Sequence, residues 1–296
     1  MPDTWLPLEA PLNEILAANP DPMRSLVEGK VPGIVLRGAF SADSCRELVA
    51  RFYEQDLVPG LPKPGETIPD EPEFERVDVG TSLGNLGRDP DLFFADAKKT
   101  HALFDTLFAG MQNPIELLYD HLTALSPGKK AVTAREPDGR LYGPAIIRCH
   151  LPHFGYPPHI DSVRKREKRT NFEVHRFEHQ LGGVILLQSP ERSGSYTDSI
   201  QYKCEWKDEF YQHMRQNYVG KKGNNPSSVL DRTVFEEYAT AHDIERNRLE
   251  LSEGDLYFFN SEHIHEAPGF TGHQPRIVLA TFFGYSPDDP EIYVWA

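Results

Sequence analysis

Residues 254–285 read GDLYFFNSEHIHEAPGFTGHQPRIVLATFFGY and carry the clearest fold signal in the chain. A turn at Gly254 leads into a short apolar run, and a second run of aromatic and β-branched residues begins at Arg276. Two histidines and a loop of small residues lie between the runs. Short apolar runs bounded by turn residues are typical of buried strands. This stretch therefore predicts two strands of a sheet with a histidine-bearing segment between them.

The same pattern continues through the C-terminal half of the chain. Many short strands separated by turn residues favour a mainly β fold with helices, of the double-stranded β-helix (jelly roll, cupin-like) type. Residues 207–243 interrupt the pattern with a helical period in DEFYQHMRQNYV and a turn-rich GKKGNNPSS, which predicts an insertion carried outside the sheet. The strand-like segments are GPAIIRCHLP, QLGGVILLQSP, YTDSIQYKCEW, IERNRLELSEGDLYFFN, PRIVLATFFGYS and EIYVWA.

The N-terminal part of the chain is predicted to be mainly helix and loop. Ser41 is a good N-cap for a helix in SADSCRELVARFYEQ, and DPDLFFADAKKTHALFDTLFAGM and NPIELLYDHLTALS have amphipathic helical patterns. Residues 58–80 hold too many prolines for regular structure. A chain of 296 residues can bury one large core. We therefore expect a single domain over 1–296, with a helical part over 1–140 that flanks a jelly-roll core over 141–296.

Charge and cysteine content narrow the possible functions. The chain has 31 Lys and Arg against 45 Asp and Glu, and its net charge of -14 disfavours binding to a phosphate backbone. We therefore expect a small-molecule partner and no nucleic acid. Three cysteines without a CxxC pair indicate neither a disulfide framework nor a zinc-cysteine site, which favours a cytoplasmic location. The sequence has neither a signal-peptide pattern nor a long apolar run, so no membrane association is expected.

Residues 156–163, YPPHIDSV, place a histidine and an aspartate two positions apart. On a strand, His159 and Asp161 would point to the same face, about 7 Å apart, and could share a metal ion. A histidine of the 254–285 stretch would supply a second nitrogen. Two neutral nitrogens and one carboxylate form the facial triad of non-haem Fe(II) oxygenases, which leaves three metal positions for co-substrate and O2. Arg276 could then bind the distal carboxylate of a 2-oxo acid through two hydrogen bonds.

With these residues the chain resembles the Fe(II)/2-oxoglutarate-dependent dioxygenases, whose pattern is HxD, a distant His, ten residues and an Arg. Ten residues separate His265 from Arg276, whereas twelve separate His263 from it. The resemblance therefore implies that His159, Asp161 and His265 bind the metal and that Arg276 binds 2-oxoglutarate. His263 becomes a neighbour of the ligands or a group at the pocket mouth.

YGPAIIRCHLPHFGYPPHID also resembles the metal-approach segment of the freestanding aliphatic halogenases of hapalindole and welwitindolinone alkaloid biosynthesis. The shared features are a Tyr-x-Pro-Ala-x-Ile-Arg run and a 17-residue step from Tyr142 to His159, the histidine of the HxD motif. The C-terminal PRIVLATFFGYSPDDPEIYVWA is similar as well. Those halogenases have glycine in place of Asp161, and chloride occupies the metal position that the missing carboxylate leaves.

Asp161 therefore changes what the resemblance implies. With this carboxylate present, we expect hydroxylation of an unactivated C–H bond of a freestanding small molecule in natural-product biosynthesis. Succinate and CO2 would be the co-products, and no carrier protein is expected. Desaturation or oxidative cyclisation with the same cofactors stays open. A jelly-roll protein that binds a ligand without turnover, or one that uses Zn or Mn, is the alternative outside this class.

Several residues near the motifs are further candidates. Arg148 lies on the preceding strand and could bind the co-substrate or a substrate anion, although a buried structural ion pair is the alternative. Tyr142, Phe154 and Tyr156 flank the histidine and aspartate and could line the pocket or fill the core. Asn260 could orient a ligand or mark the end of its strand.

A basic segment, residues 164–169, follows the HxD motif and begins with Arg164. It could form a lid, or it could attract an anionic substrate to the pocket mouth. A solvated face whose charges pair with Glu167 and Glu173 is the alternative. Two substrate classes stay open: a hydrophobic natural product such as an alkaloid or terpenoid, and a small polar metabolite such as an amino acid or nucleotide.

Overall fold

The computed structural model describes residues 5–61, 63, 66, 76–152, 154–190, 198–207, 209–210 and 229–296. Its helices and strands alternate in the first half of the chain, and strands dominate the second half. In chain order the elements are β1 (Leu8–Glu9), α1 (Leu12–Ala18), α2 (Pro22–Val27), β2 (Ile34–Leu36), α3 (Ala42–Glu54), β3 (Arg76–Val79), α4 (Leu83–Leu86), α5 (Pro90–Leu107), α6 (Pro114–Ala124), β4 (Lys130–Thr133), β5 (Ile146–His150), β6 (Tyr156–His159), β7 (His179–Gln188), β8 (Ser199–Glu205), α7 (Arg232–Ala241), β9 (Arg246–Leu249), β10 (Leu256–Phe259), β11 (His263–Ala267), β12 (Arg276–Tyr285) and β13 (Glu291–Trp295).

The described strands form two sheets. The larger sheet has nine strands, with the path β1-β2-β10-β7-β12-β13-β4 and with β5 and β3 added beside β12. The smaller sheet has the order β6-β11-β8-β9. Most neighbours are antiparallel, and inner-face residues of both sheets line one cavity between them. The predicted jelly roll with N-terminal helices is confirmed.

The two long central strands, β7 and β12, show how the sequence positions this cavity. Alternate side chains of β7 point in opposite directions, so Leu181 and Ile185 join the cluster that the N-terminal helices cover, whereas Val184 faces the cavity. In β12, Leu279 packs on the helical side and Val278 lines the cavity. The helices therefore cover one face of the larger sheet, and the opposite face forms a wall of the cavity.

The N-terminal part contains the predicted helices and also four strands. Ser41 accepts a hydrogen bond from the backbone N–H of Ser44 at 3.0 Å and caps α3. The strands β1 and β2 extend the edge of the larger sheet, and β3 pairs with β5. Residues 76–79 thus form a strand within a stretch that we expected to lack regular structure. The reason is local, because the last proline of that stretch is Pro72 and β3 begins after it.

Only part of the predicted insertion can be described. Most of DEFYQHMRQNYV and all of GKKGNNPSS lie outside the described residues. The end of the insertion contains α7, whose N-cap Asp231 accepts from the N–H of Val234 at 3.2 Å. Just before it, Leu230 donates its N–H to the carbonyl of Pro158 at 2.7 Å, so the chain here returns directly to β6.

Two smaller differences concern strands and membranes. The segment IERNRLELSEGDLYFFN forms two strands, β9 and β10, with a turn around Gly254, rather than one. Among the described residues, no helix is both long and apolar enough to cross a bilayer.

Candidate metal centre and its cavity

His159 and His265 lie directly opposite each other on β6 and β11, with ring centroids 4.4 Å apart. Asp161 lies just beyond the end of β6, so strand alternation does not account for its position. Instead its backbone N–H donates to the carbonyl of Ser261 at 2.8 Å, and the Ser261 hydroxyl donates to the Asp161 carbonyl at 2.9 Å. The turn before β11 thus holds Asp161 beside the two imidazoles.

The three side chains converge on one point. One carboxylate oxygen of Asp161, Oδ2, lies 3.6 Å from Nε2 of His159 and 3.5 Å from Nε2 of His265. One potential ligand atom from each residue lies within 4.8 Å of the others. The Nδ1 atoms face the carbonyls of Pro157 at 2.7 Å and His263 at 2.9 Å. When Nδ1–H donates to a carbonyl, the Nε2 lone pair is left to bind a metal.

The electrostatics of these groups suit metal binding. Burial and the neighbouring His265 lower the pKa of His159, so its ring stays neutral. Burial alone would raise the pKa of Asp161, but His159, His265 and Arg166 outweigh it and hold that pKa well below its usual range. The site thus contains a neutral imidazole and an ionised carboxylate. These are the protonation states that a divalent cation requires.

Arg166 binds the other oxygen of Asp161. Its Nη1 donates to Oδ1 of Asp161 at 2.7 Å and to the carbonyl of Ile160 at 2.6 Å. Only Oδ2 is therefore turned toward the imidazoles. Two nitrogens and one carboxylate oxygen beside an open cavity fit an Fe(II) ion with three remaining positions.

Arg276 lines the same cavity, which has a volume of about 390 Å³. Its side chain is buried at the start of β12, and its Nε lies 3.4 Å from Oδ1 of Asp198. The other oxygen of Asp198 accepts from the N–H of Leu251 at 2.7 Å, which fixes the carboxylate. A guanidinium held in this way at a cavity wall fits one carboxylate of a 2-oxo diacid.

Arg148 also lines the cavity, on β5, directly opposite Val278 of β12. Its Nε is buried and has no hydrogen-bond partner among the described residues. Burial and the neighbouring Arg76 lower its pKa. Strand alternation predicted that Arg148 points inward, and its side chain does lie on the cavity face of β5.

Of the weaker candidates, Tyr156 lines the cavity and Tyr142 and Phe154 do not. Tyr142 is fully buried among Phe93 and other aromatic rings, and its hydroxyl donates to Glu136, so it fills the core. The ring of Phe154 packs against Tyr156 with centroids 5.1 Å apart. Predicting Tyr142 and Phe154 as pocket residues was wrong.

His263, Asn260 and Arg164 also lie outside the lining of the cavity. The pairing of β11 with β8 is irregular between His263 and His265, where two residue steps along β11 match four along β8. His263 does not reach the cavity lining. His263 stacks on Trp5 instead, and burial lowers its pKa to about 4. The Asn260 amide donates to the carbonyl of residue 27 at 3.3 Å, and Arg164 donates to that of residue 177 at 3.4 Å. None of the three lines the cavity, but His263 is a neighbour of a metal ligand, since its carbonyl faces Nδ1 of His265 at 2.9 Å, and Asn260 marks the end of β10.

Two residues of the cavity lining, His150 and Arg76, and the Arg276 partner Asp198 were not singled out from the sequence. His150 lies two residues after Arg148 on β5, so the same alternation would have indicated it. Burial and three arginines lower its pKa well below the usual value, so the ring is neutral. Arg76 comes from β3, inside the proline-rich stretch, and Asp198, just before β8, reaches Arg276 from a distant part of the chain. No local pattern marks either of them.

The basic segment over 164–169 borders the cavity through Arg166, and most of its charges have acidic partners. Nζ of Lys165 lies 3.0 Å from Oε2 of Glu262. Arg166 forms an ion pair with Asp161, and Arg169 forms one with Glu167. Arg169 also donates to the carbonyl of Gly84, before the end of α4, at 3.2 Å. The segment thus joins α4 to the metal centre, and the expected pairing with Glu167 is present.

Comparison with known proteins identifies the family. The family model described as carrier-protein-independent halogenase WelO5 matches residues 3–296. This chain belongs to that family. The match confirms the resemblance to freestanding halogenases that YGPAIIRCHLPHFGYPPHID indicated. No curated protein matches the chain.

Solved structures of low sequence identity share the fold. The N-substituted L-amino acid dioxygenase from Burkholderia ambifaria AMMD is 15% identical, with a TM-score of 0.57 over 95% of this chain and 91% of that one. The structure of that dioxygenase in complex with alpha-KG gives 16% identity and a TM-score of 0.54 over the same shares.

Proposed function

We propose that this chain is an Fe(II)- and 2-oxoglutarate-dependent oxygenase that hydroxylates a C–H bond of a freestanding small molecule. The observation that carries this proposal is the convergence of His159, Asp161 and His265, with ligand atoms within 4.8 Å, in a cavity that Arg276 also lines. A metal site alone would fit several metals and reactions. The buried guanidinium in the same cavity favours a co-substrate with a second carboxylate.

In this proposal His159, Asp161 and His265 hold the metal, and Arg276 binds the 5-carboxylate of 2-oxoglutarate. When bound, Fe(II) would hold the 1-carboxylate and 2-keto oxygens of the co-substrate and activate O2. Asp198 keeps the Arg276 guanidinium in place through its contact at 3.4 Å. Val184, Val278 and other apolar residues of the cavity wall exclude water and place the substrate next to the metal centre.

Asp161 supports hydroxylation rather than halogenation within this family. In the halogenases that the chain resembles, a glycine replaces this carboxylate and chloride takes the metal position. Here Asp161 points Oδ2 into the site, and Arg166 holds its other oxygen at 2.7 Å. This arrangement supports a protein ligand, rather than chloride, at that metal position. Desaturation or ring closure with the same cofactors stays the alternative.

The wider context of the reaction follows from family and composition. The family description names carrier-protein-independent enzymes, which supports a freestanding substrate, and its halogenase members support a role in natural-product biosynthesis. The three cysteines are unpaired and buried in the structure, which supports a reducing compartment such as the cytoplasm.

The test combines binding with turnover. The purified chain would be titrated with Fe(II) and 2-oxoglutarate without oxygen, and succinate would then be measured after addition of O2 and ascorbate with panels of acidic, polar and apolar candidates. We expect 2-oxoglutarate to bind only when metal is present, and succinate to form with a hydroxylated product. Absence of both 2-oxoglutarate binding and succinate would favour a binding protein, and a halogenated product in chloride-containing buffer would contradict hydroxylation.

A further inference from the structure

Four arginines line the cavity, and three of them have an acidic partner. The pairs are Arg76 with Asp78 at 2.7 Å, Arg166 with Asp161 at 2.7 Å and Arg276 with Asp198 at 3.4 Å. The two other acidic residues of the lining are also paired, Glu266 with Arg232 at 2.8 Å and Glu167 with Arg169. The acids around the cavity are thus matched by cations other than Arg148.

Arg148 is the fourth arginine. Its side chain forms no hydrogen bond or ion pair with the part of the chain that the structure describes, and its Nε is buried. Asp78 lies opposite it in the pairing of β3 with β5, but this carboxylate is bound to Arg76 and accepts from the Asn85 amide at 3.2 Å. Burial of Nε without an acceptor costs hydration that no described residue replaces, and the rest of the guanidinium borders the cavity.

Binding of Fe(II) and 2-oxoglutarate at the metal centre would not neutralise the positive charge of Arg148. The two positive charges of Fe(II) are balanced by the two negative charges of 2-oxoglutarate. The position of Arg148 also separates it from Arg276, because His150 lies directly opposite Arg276 and Arg148 is one inward-facing position further along β5. The nearby charges that act on Arg148 are those of Arg76, Asp78 and Asp161. Arg148 therefore lies on the side of the cavity next to Asp161 and β3.

We propose that the substrate carries an anionic group, a carboxylate or a phosphate ester, and that Arg148 binds it. This inference rests on the proposed function, because it takes the cavity to be the active site. Of the two substrate classes that the sequence leaves open, the anionic polar metabolite fits and the neutral hydrophobic natural product does not. Arg148 offers two parallel N–H donors to such a group, and Phe259 and Val184 provide apolar surface for the rest of the molecule.

The experiment uses the full chain loaded with Fe(II) and 2-oxoglutarate without oxygen. The probes are matched pairs that differ in charge, AMP with adenosine and indole-3-acetate with indole-3-acetamide, together with inorganic phosphate. Calorimetric titration and the thermal unfolding midpoint report their binding. We expect at least one acidic probe to bind and its neutral partner to bind about 10-fold or more weakly.

Variants then assign the effect to one side chain. Arg148→Gln is expected to lose the preference for the acidic probe, while its affinity for 2-oxoglutarate stays within about twofold of the wild type. Arg148→Lys keeps the charge and should keep part of the preference, which provides a second variant if Arg148→Gln does not fold. Arg46→Gln removes an arginine of α3 whose side chain is 65% exposed, and it controls for net charge.

Each result decides between defined alternatives. Equal binding of acid and neutral partner, or no binding of any acidic probe including phosphate, overturns the proposal. Retention of the preference in Arg148→Gln also overturns it. Loss of 2-oxoglutarate binding in that variant would assign Arg148 to the co-substrate instead. Failure of the wild-type chain to bind metal and 2-oxoglutarate would count against the proposed function, which the same titrations measure separately.

Discussion

Arg166 donates from Nη1 to Oδ1 of Asp161 over 2.7 Å, and this contact decides which carboxylate oxygen faces the two histidines. The same nitrogen donates to the carbonyl of Ile160 at 2.6 Å, so the guanidinium is fixed at two points. Oδ2 is left 3.6 Å from His159 and 3.5 Å from His265. Asp161 therefore turns only one oxygen toward the metal position, and its second oxygen does not take up another coordination position.

The first prediction concerns this contact. In Arg166→Met the carboxylate loses its partner and can rotate, so we expect the affinity for Fe(II) or Co(II) to fall by roughly 10-fold. Anaerobic calorimetry with Fe(II), or the absorption spectrum of the Co(II) form, measures the change. Arg166→Lys is expected to restore part of the affinity, because it keeps a donor and the charge.

Arg164→Met is the matched control, since it removes the same charge from the same segment. Arg164 donates to the carbonyl of Phe177 at 3.4 Å and lies outside the cavity lining. Its loss should leave metal affinity within about twofold. An equal loss in both variants would show that the general charge of the segment acts on the metal, and that the Arg166 contact itself does not.

The second prediction concerns Arg276. Arg276→Met should raise the dissociation constant for 2-oxoglutarate by about 100-fold, because a bidentate charge-assisted contact is lost. Metal affinity without 2-oxoglutarate should stay unchanged. Arg276→Lys should show an intermediate loss, since an ammonium cannot make the same two parallel bonds. Anaerobic titration of the metal-loaded chain with 2-oxoglutarate gives these constants, and unchanged binding in Arg276→Met would refute the assignment.

Local sequence patterns were sufficient to predict the two long strands that form a wall of the cavity. The strands β7 and β12 are unambiguous because each contains a long, mainly apolar run. Strand alternation also gave the inward direction of Arg148, and it applies equally to His150. His159 and His265 come together because β6 and β11 are neighbours in register, which the motif order suggested.

Contacts between distant segments could not be predicted in this way. The irregular pairing of β11 with β8, where the two steps from His263 to His265 match four steps on β8, has no signal in the sequence. Asp198 contacts Arg276 across 78 positions of the chain, and no period in the sequence relates the two. Short strands such as β3, with four residues, contain too few positions to show alternation. These features depend on tertiary packing rather than on local propensity.

The third prediction tests a glycine that fixes the turn before β10. Gly254 has φ of +88°, and a Cβ there would overlap the carbonyl oxygen of Phe40. Gly254→Ala should therefore lower the free energy of unfolding by about 2–4 kcal/mol, from backbone strain and displacement of that segment. Gly110→Ala is the control, since Gly110 has φ of +76° with open space around it and should cost only about 1 kcal/mol. Urea unfolding measures both, and equal losses would contradict the steric part of the argument.

The fourth prediction tests the role of Asp161 directly. Asp161→Gly removes the only carboxylate of the three converging residues and leaves Arg166 without its 2.7 Å partner. We expect metal affinity to fall by at least about 10-fold and hydroxylated product to disappear. Asp161→Glu keeps the charge but moves the oxygens, so it should retain some metal binding with little product. Mass spectrometry of the product, together with succinate measurement, follows both variants. Hydroxylation at the wild-type rate in Asp161→Gly would rule out a ligand role for this residue and, with it, the chemical reason for separating this chain from the halogenases of its family.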